Sequence, residues 1–138
     1  MSDGSRSMSA PPGEVHELPF GRDANAVARA LLASFIDRQQ LGRRVGQDAA
    51  LVIGELVANG VDHGRPDPQQ GLEVSWTLDG QGLRLSVFDG GGTSTPHVVE
   101  AEPFASRGRG LAMVAALSVR WWFEGSSGTR VTAVLEVD

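Results

Sequence analysis

Glu55, Asn59 and His63 recur at four-residue spacing in the stretch ELVANGVDHG. On a helix such residues lie one above another along a single face. A carboxylate and an amide oxygen one turn apart suit a hard cation and a reacting hydroxyl, because the amide can ligate Mg²⁺ and the carboxylate can accept a proton. The plain alternative is a solvated stripe on an amphipathic helix, which most surface helices carry. Two features speak against it: the stripe is narrow and short-chained, and asparagine is a poor helix-interior residue unless its amide has a task. On this stretch alone both stand.

Two other stretches could bear chemistry. Asp89 closes the apolar run in VFDGGGTSTP and is followed by Gly90, Gly91 and Gly92. A carboxylate at a strand end can accept a hydrogen bond from an exocyclic amine, and glycine lets a flat ring approach the backbone. A glycine-rich surface turn would look the same. In RGRGLAMV, Gly108 and Gly110 precede a helical pattern, so unpaired N–H groups and the helix dipole could face a phosphate. Met113 occupies the last position of what would be G-x-G-x-x-G, so a dinucleotide fingerprint is excluded; a flexible hinge explains the glycines equally well.

The elements that must position these residues follow from periodicity. Met1 to Gly13 is rich in Ser, Gly and Pro and reads as a mobile tail. Val15 to Phe20 is a candidate strand. Asp23 or Asn25 can cap a helix whose apolar positions include Val27, Ala28, Leu31, Leu32, Phe35 and Ile36, with Gly42 near its stop. A second helix is expected to start near Gln47 or Asp48, to bury Ala49, Val52, Ile53, Leu56 and Val57, and to end where Gly64, Pro66 and Pro68 break it. Alternation at Leu72, Val74, Trp76 and Leu78, then Leu83, Leu85 and Val87, predicts a hairpin with one buried face.

From Gly90 to Arg107 no period survives, and loops of that length are usually functional. GLAMVAALSV then predicts a short helix, RWWFE a strand, GSSG a turn, and TRVTAVLEV a closing strand. Trp121 and Trp122 are adjacent, so one should be core and the other exposed. The expected fold is α/β: a two-layer sandwich with a mixed, mostly antiparallel sheet covered on one face by helices.

Composition narrows the chemistry further. All 12 basic residues are arginine and cysteine is absent, which rules out a P-loop lysine, a Schiff base, a thiolate nucleophile and a disulfide. A net charge of −5 argues against direct nucleic-acid binding, since counterion release needs a basic surface. Neither a signal peptide nor an apolar run long enough to span a bilayer is visible, so a cytoplasmic location without membrane contact is expected.

Taken together and in this order, ELVANGVDHG, DGGG and RGRGLAMV resemble the three nucleotide boxes of the gyrase, heat-shock chaperone, histidine kinase and MutL ATPase superfamily. More closely, the chain is similar to small bacterial anti-sigma factor serine kinases and their stand-alone ATP-binding relatives, in which a closing strand like Gly128–Thr129–Arg130–Val131 recurs. The resemblance covers the chain from about Val15 onward and implies a Bergerat-type ATP-binding domain over residues 14–138 behind a tail of residues 1–13. It implies Glu55 as the general base for the attacking hydroxyl and Asn59 as the ligand of Mg²⁺ on the ATP phosphates. Asp89 would bond the adenine amine, Gly91 would leave room for the ring, and Thr129 would support that carboxylate. Gly108, Arg109, Gly110 and Leu111 would frame the phosphates, with Arg107 or Arg109 offsetting charge and Gly92–Arg107 forming the lid. His63 would order the helix end, while His16 and His97 are surface residues without assigned chemistry.

Gly60 departs from the family pattern, where alanine commonly follows the asparagine; it should cost about 1 kcal/mol of helix propensity and loosen the site. The resemblance further implies a homodimer that binds a sigma factor and phosphorylates an anti-anti-sigma (STAS-type) protein. The alternatives are an ATP-gated binding module without catalysis and an interaction protein that takes no nucleotide. Glu55 favours the kinase over the gated module, because a pure binder has no use for a base.

Overall fold

The computed structural model describes residues 10–19, 21–63, 71–89, 111–125 and 129–137, with side chains except at 61–63. The elements are β1 (Gly13–Leu18), α1 (Ala24–Arg38), α2 (Gly42–His63), β2 (Leu72–Asp79), β3 (Gly82–Asp89), a short helix α3 over residues 111–117, β4 (Arg120–Gly125) and β5 (Thr129–Leu135). The strands form one sheet in the order β1-β2-β3-β5-β4. Each of its pairings is antiparallel, narrower than the mixed sheet that the sequence predicts.

Alternation decides which face is covered. Val74, Val87 and Val131 lie in one register row, and Trp76, Leu85 and Ala133 in the next. All six are nearly fully buried, in one cluster with Ala28, Leu32 and Phe35 of α1 and Val52, Leu56 and Val57 of α2. Alternate strand residues point to the opposite face, which carries Ser75, Arg84, Ser86, Phe88, Arg130 and Trp122. The adjacent tryptophans take opposite faces as expected, but both are half-buried: Trp121 packs against the core and meets Phe123 edge-on, while Trp122 lies beside the guanidinium groups of Arg84 and Arg120.

Three boundaries differ from the sequence expectation. α2 begins at Gly42, several residues before Gln47, because Val45 is buried and Gly46 lies against Ile36, extending the packed stripe by a turn. α1 stops at Arg38, four residues before Gly42, and both Gln40 (φ 57°) and Gly42 (φ 92°) have positive φ, with Leu41 N–H donating to the Ile36 carbonyl at 3.2 Å. β1 spans Gly13–Leu18, not Val15–Phe20; Phe20 lies outside the described residues. Its inward positions Glu14 and His16 are polar, so no apolar alternation marks the strand. Just before it, the Pro12 carbonyl accepts the Leu78 N–H at 2.9 Å, which ties the chain to the sheet within the stretch that reads as a tail.

The β2–β3 hairpin turns through Gly80 and Gln81, between the register pair Asp79 and Gly82. Gln81 N–H donates to Asp79 Oδ1 at 2.8 Å, and Gly82 has φ 130°. A Cβ at Gly82 would collide with the Leu135 carbonyl oxygen, so this turn requires glycine.

Candidate functional site

Helix α2 carries two of the chemistry-bearing residues on the border of its core face. Val52, Leu56 and Gly60 point to the sheet; Asn59 beside them is buried at 8% exposure, and Glu55, one turn earlier, is half-buried. Asn59 is one of four buried polar side chains among the described residues, with Ser86, Asp89 and Thr132. A polar side chain in a largely apolar helix face needs a hydrogen-bonding or ligand partner. One residue before Glu55, the Gly54 carbonyl accepts a hydrogen bond from Asn25 Nδ2 at 3.0 Å, pinning α1 to α2 beside the site.

Asp89 ends β3 on the helix-covered face, at 6% exposure. It stands opposite Leu72 of β2 on one side and Thr129 of β5 on the other. The support that Thr129 gives comes from its main chain, whose N–H donates to Asp89 Oδ1 at 3.0 Å. A carboxylate accepting an amide hydrogen bond is held in one orientation.

Gly60 shows how the helix and the strand end meet. A Cβ there would lie 3.1 Å from Leu72 Cδ1 and 3.4 Å from Val87 Cγ1. Leu72 is the register partner of Asp89, and Val87 is two residues before it on the same face. The last turns of α2 therefore cross the end of the sheet that carries Asp89 and Thr129, and Asn59 is brought to that end. The glycine expected to loosen the site is the residue that allows this close approach.

Leu111, the first residue of α3, is buried at 1% exposure. Gly91, Arg107, Gly108, Arg109, Gly110, His97 and the expected lid Gly92–Arg107 lie outside the described residues, as does the His63 side chain. His16 is a correction. It is a half-buried residue, and its Nε2 donates to Glu14 Oε1 at 3.0 Å with its ring 5.4 Å from that of Trp76. Asn25 and Arg130 carry contacts around the site that spacing does not reveal. The one usable signal is strand alternation, which places Arg130 and Phe88 directly behind Thr129 and Asp89.

Among the described residues, no group of three or more His, Cys, Asp or Glu side chains could hold a metal by itself.

The family described as "Histidine kinase-like ATPase domain" matches residues 21–135. No curated protein matches the chain. Among solved structures, the crystal structure of the RsbU and RsbW domains of Rv1364c from Mycobacterium tuberculosis superposes with a TM-score of 0.70 at 24% identity, covering 91% of this chain. The chain spans 32% of that longer one, and the likeness at this identity is one of fold.

Proposed function

We propose that this chain, which belongs to the histidine kinase-like ATPase domain family, is an ATP-dependent protein serine/threonine kinase of the anti-sigma type. The observation that carries this reading is the convergence of two buried polar residues, Asn59 from a helix and Asp89 from a strand, on one end of the sheet, with Glu55 one helical turn away. A binding module without catalysis would have no use for a base at Glu55.

Asp89, fixed by the Thr129 amide, accepts a hydrogen bond from the adenine amino group, and Gly91 admits the ring. The Asn59 amide oxygen suits Mg²⁺, which prefers one or two protein oxygens plus phosphates and water to a full protein cage. When bound, Mg²⁺ draws charge from the phosphate oxygens. Gly108, Arg109, Gly110 and the main chain of Leu111 receive the phosphates, and Arg107 or Arg109 offsets the charge on the transferring group. Glu55 takes the proton of the acceptor hydroxyl as its oxygen bonds to the γ-phosphorus; the bond to the β-phosphate oxygen breaks and ADP leaves.

The partners in this reading are an anti-anti-sigma protein of STAS type as acceptor and a sigma factor as the bound target, with the kinase acting as a homodimer in the cytoplasm. Among the described residues, no helix is long and apolar enough to cross a membrane. The test is Glu55→Gln, assayed for Mg·ATP binding and for phosphoryl transfer to a candidate acceptor. Binding should persist while transfer falls by roughly a hundredfold or more. Equal transfer by both proteins removes Glu55 as the base.

A further inference from the structure

We infer that Arg130 sets nucleotide-base specificity from the far side of the sheet, as the positioning residue for Asp89. The inference rests on the proposed role of Asp89 as the adenine contact. Thr129 and Arg130 are neighbours on β5, and Asp89 and Phe88 are neighbours on β3 in the same two register rows. The pair that meets the base lies on the covered face, so Arg130 and Phe88 face each other directly behind it.

The Arg130 guanidinium lies 4.9 Å from the Phe88 ring centroid. Its Nη1 donates to Ser86 Oγ at 2.9 Å and its Nη2 to Glu73 Oε2 at 3.4 Å. Ser86 is on β3 and Glu73 on β2, opposite Phe88. One side chain rooted in β5 thus fastens three strands together.

The position matters because Asp89 is a terminal residue. Among the described residues, Asp89 with Thr129 is the last pair of the β3–β5 ladder, and Asp89 with Leu72 is the last of the β2–β3 ladder. Ladder ends open first. If they open here, the Thr129 amide no longer aims the Asp89 carboxylate, and a carboxylate free to rotate no longer distinguishes an amino group from a carbonyl on the base. The Arg130 staple sits one residue inside that end and opposes its opening. Its side chain is only 33% exposed, so solvent weakens the contacts less than at an open surface.

The experiment measures the affinities of the full chain for Mg·ATP and Mg·GTP in the wild type, Arg130→Met and Arg130→Lys. Arg130→Met keeps the apolar stem and removes the donors and the charge. It should shrink the ATP-over-GTP preference on the order of fivefold, mainly by weakening ATP, and lysine should recover part of it. General loosening would weaken both nucleotides alike and leave their ratio unchanged; a folded Arg130→Met with the wild-type ratio therefore overturns the inference. Should Arg130→Met fail to fold, Arg130→Lys and Glu73→Gln decide: a reduced preference in both supports the staple, and an unchanged one overturns it. A wild type that binds both nucleotides equally removes the adenine role of Asp89 and this inference with it, whereas a discriminating wild type with an equally discriminating Arg130→Met removes the inference alone.

Discussion

Asp89 is held by its neighbour's backbone: the Thr129 N–H at 3.0 Å orients the carboxylate. Replacing it with asparagine keeps the volume but turns part of the acceptor into a donor. Asp89→Asn should therefore lower ATP affinity by roughly ten- to a hundredfold and leave GTP affinity nearly unchanged, as read by titration with each nucleotide; retained discrimination would put the base contact elsewhere. Glu55, Asn59 and Asp89 are legible in the sequence because helical spacing and a strand end mark them. Asn25 and Arg130 are not, since their partners Gly54 and Ser86 are 29 and 44 residues away, and nothing in local spacing announces a contact between elements.

At the scale of elements, α2 acts as the carrier. Gly54 leaves its carbonyl open to Asn25 of α1, and Gly60 lets the helix cross Leu72 and Val87 closely. The hairpin that sets the β2–β3 register depends in turn on Gly82. Its φ of 130° is unsuited to a side chain, and Gly82→Ala should reduce the unfolding free energy by roughly 2 kcal/mol, measurable by denaturant titration.

The edge strand β1 is fastened by Glu14, which accepts hydrogen bonds from His16, from Trp76 Nε1 at 3.0 Å and from Arg38. The His16 hydrogen bond lowers the Glu14 pKa most; burial pushes it back, and the Trp76 bond and the Arg38 charge lower it further. A depressed carboxylate pKa stabilises the fold fully above the ordinary glutamate range, and that stability is lost as pH falls through the lowered value. Unfolding measured from neutral pH down to about pH 3 should show this acid-side loss in the wild type and a shallower one in Glu14→Gln; parallel curves would mean that the clasp contributes nothing. β1 is mislocated from sequence for the same reason, because its first two inward residues belong to this polar set and only Leu18 is apolar.

Across the whole molecule, the alternation of β2, β3 and β5 and the apolar stripe of α2 are enough to read a two-layer α/β sandwich, and the structure bears that fold out. The strand order is less legible: β5 inserts between β3 and β4, a pairing set by which apolar faces match across the chain and not by turn signals. That insertion places Thr129 against Asp89, so the strand half of the site exists only at this scale. The early start of α2 is missed because Gly42 reads as the stop of α1 until Val45 and Ile36 are seen to pack.

The central claim is that Asn59 and its surroundings form a Mg·ATP site, and calorimetric titration of Mg·ATP into the wild type and Asn59→Ala tests it most directly. The buried amide predicts saturable binding by the wild type and a loss of at least roughly tenfold in affinity in the variant. Equal binding by two well-folded proteins would contradict the metal role of Asn59, and no binding by a folded wild type would contradict the nucleotide site itself.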